Sequence, residues 1–193
     1  MMYKYLFGLF FLFISSAISA QQISVEVKYV PADPADNLLI PYKPGKKLRW
    51  ADFQGIPTDT ANTSAITSSG LGYKFKLHRT EELATFTFTV NCTFSKLKSW
   101  VEPGSTNDYV LNHEQRHFDI SYINTFLFIQ KLRTTTFSLN NYRNEIQQIY
   151  NDVSYALNNM QRSYDIETKN GIDKEKQAEW NKKIDKELAT VVL

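Results

Sequence analysis

The stretch from Asn107 to Arg133 contains neither Gly nor Pro, and within it Val110, Leu111, Phe118, Ile123, Phe126, Leu127 and Ile129 recur at helical spacing. One long helix is predicted there. Before it the pattern has a period of two: Ile23 to Val30, Leu71 to Leu77 and Thr85 to Phe94 alternate apolar and polar residues as half-buried strands do. The last two runs are joined by the polar segment His78 to Glu82, which predicts a hairpin, and prolines at 31, 34, 41 and 44 interrupt regular structure. After the long helix, Leu139 to Arg162 and Lys174 to Leu188 predict two more, separated by Gly171 as a helix stop. In the last of these, Trp180, Ile184 and Leu188 form one apolar stripe. The segment Pro57 to Ser69, rich in Thr and Ser, reads as a surface loop. The expected fold class is therefore α+β, an N-terminal antiparallel sheet followed by a helical half.

At the N-terminus, Lys4 precedes the apolar run Tyr5 to Ile14, and then the small or polar residues Ser15 to Ala20. That is a signal-peptide pattern, with cleavage expected after Ala20 and a mature chain beginning at Gln21. The run is shorter than the roughly 20 residues a spanning helix needs, so no membrane span is expected after cleavage, and the protein is expected to be exported to a periplasmic or extracellular space. Residues 21–193 are expected to form a single domain, because 42% of the sequence is hydrophobic and the 11 Tyr and 13 Phe supply large areas to bury. Removing Lys4 leaves 21 basic against 20 acidic residues, a net of +1, with the signs interleaved. Such a balance supports no nucleic-acid partner. Cys92, the one cysteine, excludes an intramolecular disulfide and falls in an alternating run, where it reads as a buried strand residue.

The long helix carries His113-Glu114-Gln115-Arg116-His117. Two histidines four residues apart share one face of a helix, one turn apart, so both imidazoles can reach one metal ion. Glu114 projects beside that face, where a carboxylate can take a proton from a metal-activated water and pass it to a leaving group. The pattern is that of a zinc hydrolase, with Zn2+ as cofactor, His113 and His117 as ligands and Glu114 as the catalytic base. It uses two of the three histidines in the chain.

The third ligand is less constrained. Ile120 and Ile123 occupy the positions where a metzincin would carry Gly and His, which excludes that class. A glutamate from the next helix would be Glu145; an aspartate from a later segment would be Asp165 in Tyr164-Asp165-Ile166-Glu167-Thr168, with Glu167 close by. His78, among Arg79, Glu81 and Glu82, reads as a solvated surface histidine. Asp119 could accept a hydrogen bond from a ligating imidazole or pair with Arg116 or a lysine, and Tyr164 could stabilise an oxyanion. Trp50, Phe53 and Trp100 read as packing residues, and Asp52 as a carboxylate that bonds a turn backbone.

Four pieces of the chain, spanning nearly all of the mature sequence, carry a family resemblance. They are Leu48-Arg49-Trp50-Ala51-Asp52-Phe53-Gln54-Gly55, Ser99-Trp100-Val101, Leu111 through the histidine motif to Phe118-Asp119, and Tyr164 to Thr168 with Gln177 and Trp180 beyond. With these pieces in this order the chain resembles a family of bacterial proteins of formally unknown function that are described as predicted secreted zinc-dependent proteases. The resemblance implies a zincin-like metallopeptidase fold acting on a peptide or protein substrate. One departure stands out: the family pattern often continues the Tyr-Asp piece into x-His-Gly or x-His-Ser, whereas this chain has Lys169-Asn170-Gly171. An amide is a poor zinc ligand beside imidazole or carboxylate, so Asp165 would have to complete the site. The alternative expectation is a non-catalytic exported binding or envelope domain that retains a degenerate zincin scaffold.

Overall fold

In a computed structural model of the protein, residues 21–31, 37–58 and 63–191 are described. The proposed signal peptide lies outside them. The strands are β1 (Gln22–Tyr29), β2 (Leu39–Pro41), β3 (Ala65–Ile66), β4 (Ser69–Arg79), β5 (Leu83–Ser95) and β6 (Trp100–Val101). The helices α1 (Asp108–Thr134), α2 (Tyr142–Thr168) and α3 (Lys174–Leu188) follow, giving the sheet-first, helices-second order expected for an α+β chain.

β5 organises the sheet. Its Ala84, Phe86, Phe88, Val90, Cys92 and Phe94 are all fully buried, while the alternate Thr85, Thr87, Thr89, Asn91 and Thr93 line the other face. β4 pairs with it antiparallel from Ser69↔Phe94 to Arg79↔Ala84, the predicted hairpin, closed by the mutual Thr80 and Leu83 backbone and hydroxyl bonds. The opposite edge of β5 is shared: β2 lies antiparallel against Thr93–Ser95, and β1 lies parallel against Leu83–Val90. The parallel pair departs from the expected all-antiparallel sheet. Alternation marks a strand but not its direction, and the long stretch of chain between β1 and β5 supplies the crossover that parallel pairing requires.

Two further expectations are corrected. Within the segment read as a loop, Ala65 and Ile66 pair with Val101 and Trp100; strands of two residues are too short to carry a periodic signal. The second helix was expected to end at Arg162 but continues to Thr168, where Lys169 and Asn170 adopt left-handed backbone (φ 51° and 53°) and Gly171 follows at φ 83°. Its closing bonds run from Asn170 N to Asp165 O (2.8 Å) and from Lys169 N to Ile166 O (3.2 Å). Tyr164, Asp165 and Thr168 therefore stand on a helix rather than after one.

α1 is the central element. Phe128, Ile129 and Leu132 pack on the sheet with Phe86, Phe88, Val90, Phe137, Ile146 and Val153. Phe118 and Tyr122 join Tyr42, Leu48, Phe53, Cys92 and Phe94 on a second side, and Ile120 meets Leu157, Tyr164, Trp180 and Ile184 of α2 and α3 on a third. Phe53 and Trp100 are buried and Trp50 packs on Phe53 with ring centroids 5.0 Å apart, as packing residues should. Asp52 accepts a bond from Arg49 N (2.9 Å), and burial pushes the Cys92 thiol up to about 12, which removes it from thiolate chemistry. Among the described residues, no helix is long and apolar enough to cross a membrane.

Because Phe88 is fully buried where β5 meets α1 and α2, Phe88→Ala is expected to cost about 3–5 kcal/mol of stability. Urea unfolding followed by circular dichroism would check this; a loss below about 1 kcal/mol would contradict the assignment of the core.

Candidate metal centre

His113 and His117 lie one turn apart on α1, where the helix passes between the sheet and the other two helices, and their Nε2 atoms are 3.2 Å apart. Asp165, near the end of α2, places Oδ1 3.3 Å from His113 Nε2 and 3.0 Å from His117 Nε2. A tetrahedral zinc ion with bonds of about 2.0–2.2 Å sets its ligands roughly 3.3–3.6 Å apart, so this triangle is close to one face of such a tetrahedron. Among the described residues it is also the group of His, Cys, Asp and Glu side chains that could hold a metal ion.

Both imidazoles are aimed by glutamines. Gln161 Oε1 faces His117 Nδ1 at 2.5 Å, and Gln161 Nε2 donates to the His117 carbonyl (2.9 Å) and to Ser121 Oγ (3.3 Å). The carbonyl can only accept, which fixes the amide with its oxygen towards the ring. Gln177 Oε1 faces His113 Nδ1 at 2.8 Å in the same way. With a proton on each Nδ1, the neutral rings turn bare Nε2 lone pairs towards Asp165, and three acceptor atoms converge on one point. Such a cluster of two Nε2 lone pairs and a carboxylate oxygen suits a cation.

Packing holds the rings further. Tyr164 stacks on His113 with centroids 4.6 Å apart and 19° between planes, and meets His117 edge-on. Gly171 is buried against His113; a Cβ there would lie 3.3 Å from Nδ1 and 3.4 Å from Cγ. Its backbone is held by Tyr109, whose hydroxyl donates to Gly171 O (2.6 Å), and by Thr168 Oγ1, which accepts from Gly171 N (3.2 Å).

Glu114 is 3% exposed, and its Oε2 is one of two buried side-chain polar atoms left without a hydrogen-bond partner among the described residues, the other being Trp50 Nε1. It lines a cavity of about 780 Å3 together with His113, His117 and Asp165. The chain from Thr63 to Ser69, which includes β3, also lines it, with Thr67 Oγ1 donating to the Glu114 carbonyl (3.2 Å), as do Leu157, Asn158 and Ile172. A buried carboxylate oxygen without a partner, on a residue that lines a cleft beside a candidate cation site, is a candidate proton acceptor.

The other candidates separate cleanly. Glu145 sits in the first turn of α2 and accepts from Ser138 N (2.9 Å), His78 is exposed on β4, and Glu167 accepts from Trp180 Nε1 (2.8 Å); none is at the centre. Asn170 lines the cleft with His113, His117 and Asp165. Asp119 touches neither histidine: it accepts from Arg116 Nη1 (3.1 Å), Gln115 Nε2 (2.8 Å) and Tyr42 OH (3.0 Å). Tyr164 is fully buried, donates to the His113 carbonyl (3.3 Å) and is kept protonated by burial, so it stands behind the rings and not in the cleft. The sequence reading missed Gln161 and the role of Gln177. Gln161 precedes Asp165 by one helical turn, a spacing that becomes visible only when α2 is carried past Arg162.

No family model, no curated protein and no solved structure matches the chain.

Electrostatics tie the metal-free site to pH. Burial alone would lower the His117 imidazole, but its bond to Asp165, the charges of Glu114 and Asp165, and Gln161 together raise it. Burial would raise Asp165, yet the hydrogen bonds and charges of the two histidines hold it well below the usual carboxylate range. The His117 contribution to stability is present below the ordinary imidazole value of about 6.5 and is lost as pH rises through the raised value. The Asp165 contribution is present above about 4 and is lost as pH falls through the depressed one. Thermal midpoints of chelator-treated protein should therefore fall towards alkaline pH and again in strong acid, whereas saturating zinc, which requires deprotonated ligands, should remove the alkaline fall. A metal-free midpoint that climbs steadily into alkaline pH would contradict this account.

Gly171→Ala combines a left-handed φ with a Cβ pressed on His113, whereas Gly104 has φ 86° and open space around it. Both substitutions are expected to cost about 1–2 kcal/mol of backbone strain. Only Gly171→Ala should also weaken zinc binding, measured by chelator competition; equal affinities in the two variants would show that Gly171 does not seat the ring.

Proposed function

We propose that the protein is an exported, zinc-dependent metallopeptidase-like hydrolase acting on a peptide or protein substrate. The observation that carries this reading is the convergence of His113 Nε2, His117 Nε2 and Asp165 Oδ1 within 3.0–3.3 Å of one another, in a cleft that Glu114, with its buried and unpaired Oε2, also lines. Two neutral nitrogens and one carboxylate oxygen match the donor set of a catalytic zinc site, a set that would not call on a histidine at position 170. The resemblance to predicted secreted zinc-dependent proteases and the signal-peptide pattern of residues 1–20 belong to the same reading.

Zinc held there would act as a Lewis acid, polarising a carbonyl and lowering the pKa of water in the site. The chain's own groups divide the remaining work. His113, His117 and Asp165 bind; Gln161 and Gln177 orient the two rings; Glu114 accepts a proton from water and returns it to the leaving amine. Its burial favours that cycle, because a carboxylate with one oxygen unpaired has no competing donor to displace. The segment from Thr63 to Ser69, which lines the same cleft, offers a surface for the substrate.

Elemental mass spectrometry of the purified mature protein is expected to find about one zinc per chain in the wild type and in Glu114→Gln, and none in His113→Ala. Glu114→Gln should lower hydrolysis of unfolded casein by at least about 10²-fold while keeping the metal. Undiminished hydrolysis in Glu114→Gln would sink the assigned role of Glu114. A zinc-loaded wild type that cleaves nothing would favour the non-catalytic binding domain.

A further inference from the structure

Arg116 lies inside the histidine motif yet points away from the cleft, and its bonds reach back to His113 by a second route. The guanidinium can only donate and does not lose its proton. It is pinned by Asp185 (Nη1 to Oδ1 2.5 Å, Nη2 to Oδ2 3.3 Å) and by Asp119 (Nη1 to Oδ2 3.1 Å), which leaves Nε directed at Asn181 Oδ1 (3.2 Å). Whatever faces Nε must accept, so the Asn181 amide is held with its oxygen inward. That oxygen lies 2.9 Å from Gln177, and the Gln177 atom opposite an acceptor must be the amide nitrogen. The second hydrogen of this nitrogen goes to Tyr164 OH (2.5 Å). Gln177 is thereby left with only its carbonyl oxygen for His113 Nδ1, at 2.8 Å.

We propose that Arg116 and Asn181 are positioning residues which, acting through Gln177, hold His113 in the tautomer with its proton on Nδ1 and its Nε2 lone pair in the cleft. The relay has something to overcome. Asp165 Oδ1, 3.3 Å from His113 Nε2, would by itself favour the opposite tautomer, in which Nε2–H donates to the carboxylate. Without the Asn181 acceptor, the Gln177 amide can turn over: its oxygen then accepts from Tyr164 OH, its nitrogen donates to a bare Nδ1, and the imidazole proton moves to Nε2. His117 is independent of this relay, because Gln161 is locked by the His117 carbonyl on α1 itself. It serves as an internal control.

The test reads imidazole nitrogen resonances of the metal-free protein at alkaline pH, where both rings are neutral. Wild type should show His113 protonated on Nδ1; protonation on Nε2 there would overturn the proposal without any variant. Asn181→Leu should shift His113 towards Nε2–H and leave His117 unchanged, whereas Asn181→Asp, whose carboxylate still accepts, should keep the wild-type pattern. Adding Gln177→Glu, an acceptor-only side chain, to Asn181→Leu should restore the Nδ1 proton, a rescue that general loss of packing would not give. An Asn181→Leu protein that keeps His113 wholly on Nδ1–H would also overturn the relay. Only the accompanying change in zinc affinity rests on the metal-ligand reading: about 10- to 100-fold weaker in Asn181→Leu and recovered with Gln177→Glu. A protein that binds no zinc but shows the expected tautomers would support this relay while removing the functional reading.

Discussion

Everything at the centre of this molecule depends on burying a polar helix. α1 takes His113, Glu114, Gln115, Arg116, Asp119, Ser121, Asn124 and Thr125 out of water in four turns. Each such group costs free energy unless it finds a partner, and an unpaired buried charge costs most. The surrounding elements answer these needs one by one. The loop after β2 offers Leu48 N to Gln115 Oε1 (2.8 Å) and Tyr42 OH to Asp119; α3 offers Asp185 to Arg116; α2 offers Gln161 to His117. The helical half is thus assembled around α1 by directional bonds as much as by apolar area.

Against that background the exceptions become informative. His113 Nε2, His117 Nε2 and Asp165 Oδ1 are brought within 3.0–3.3 Å of one another, and Glu114, which lines the same cleft, keeps one buried oxygen unpaired. Of the two buried side-chain polar atoms left unpaired among the described residues, Glu114 Oε2 belongs to a residue of the cleft and Trp50 Nε1 does not. The convergence of the histidine–aspartate triangle with Glu114 in one cleft, rather than any single residue, is the physical basis for the proposed metal-assisted hydrolase.

Much of this arrangement is legible before folding, and the parts that are not have definite causes. α3 is recovered to its first and last residue because Gly171 and the Asp173 cap precede it and the apolar stripe Trp180, Ile184 and Leu188 ends with it. α1 is recovered to within a residue, with Asn107 capping through Val110 N (2.9 Å). The end of α2 is not, because nothing between Arg162 and Gly171 breaks a helix and the stop is a backbone conformation, left-handed at Lys169 and Asn170, which residue type only weakly signals. The parallel β1–β5 pair is likewise invisible to alternation, and β3 is too short to register.

The sequence by itself determined the order of sheet and helices, the pair of histidines on one helical face and the carboxylate between them, because these are local consequences of side-chain period and spacing. Only the tertiary structure decided which of Asp165, Glu145 and Glu167 meets the histidines, and that Gln161 and Gln177 aim them. Those choices depend on where α2 and α3 cross α1, and that crossing is set by the burial of Ile120, Leu157, Tyr164, Trp180 and Ile184 against one another, contacts between residues far apart in the chain that no local pattern encodes.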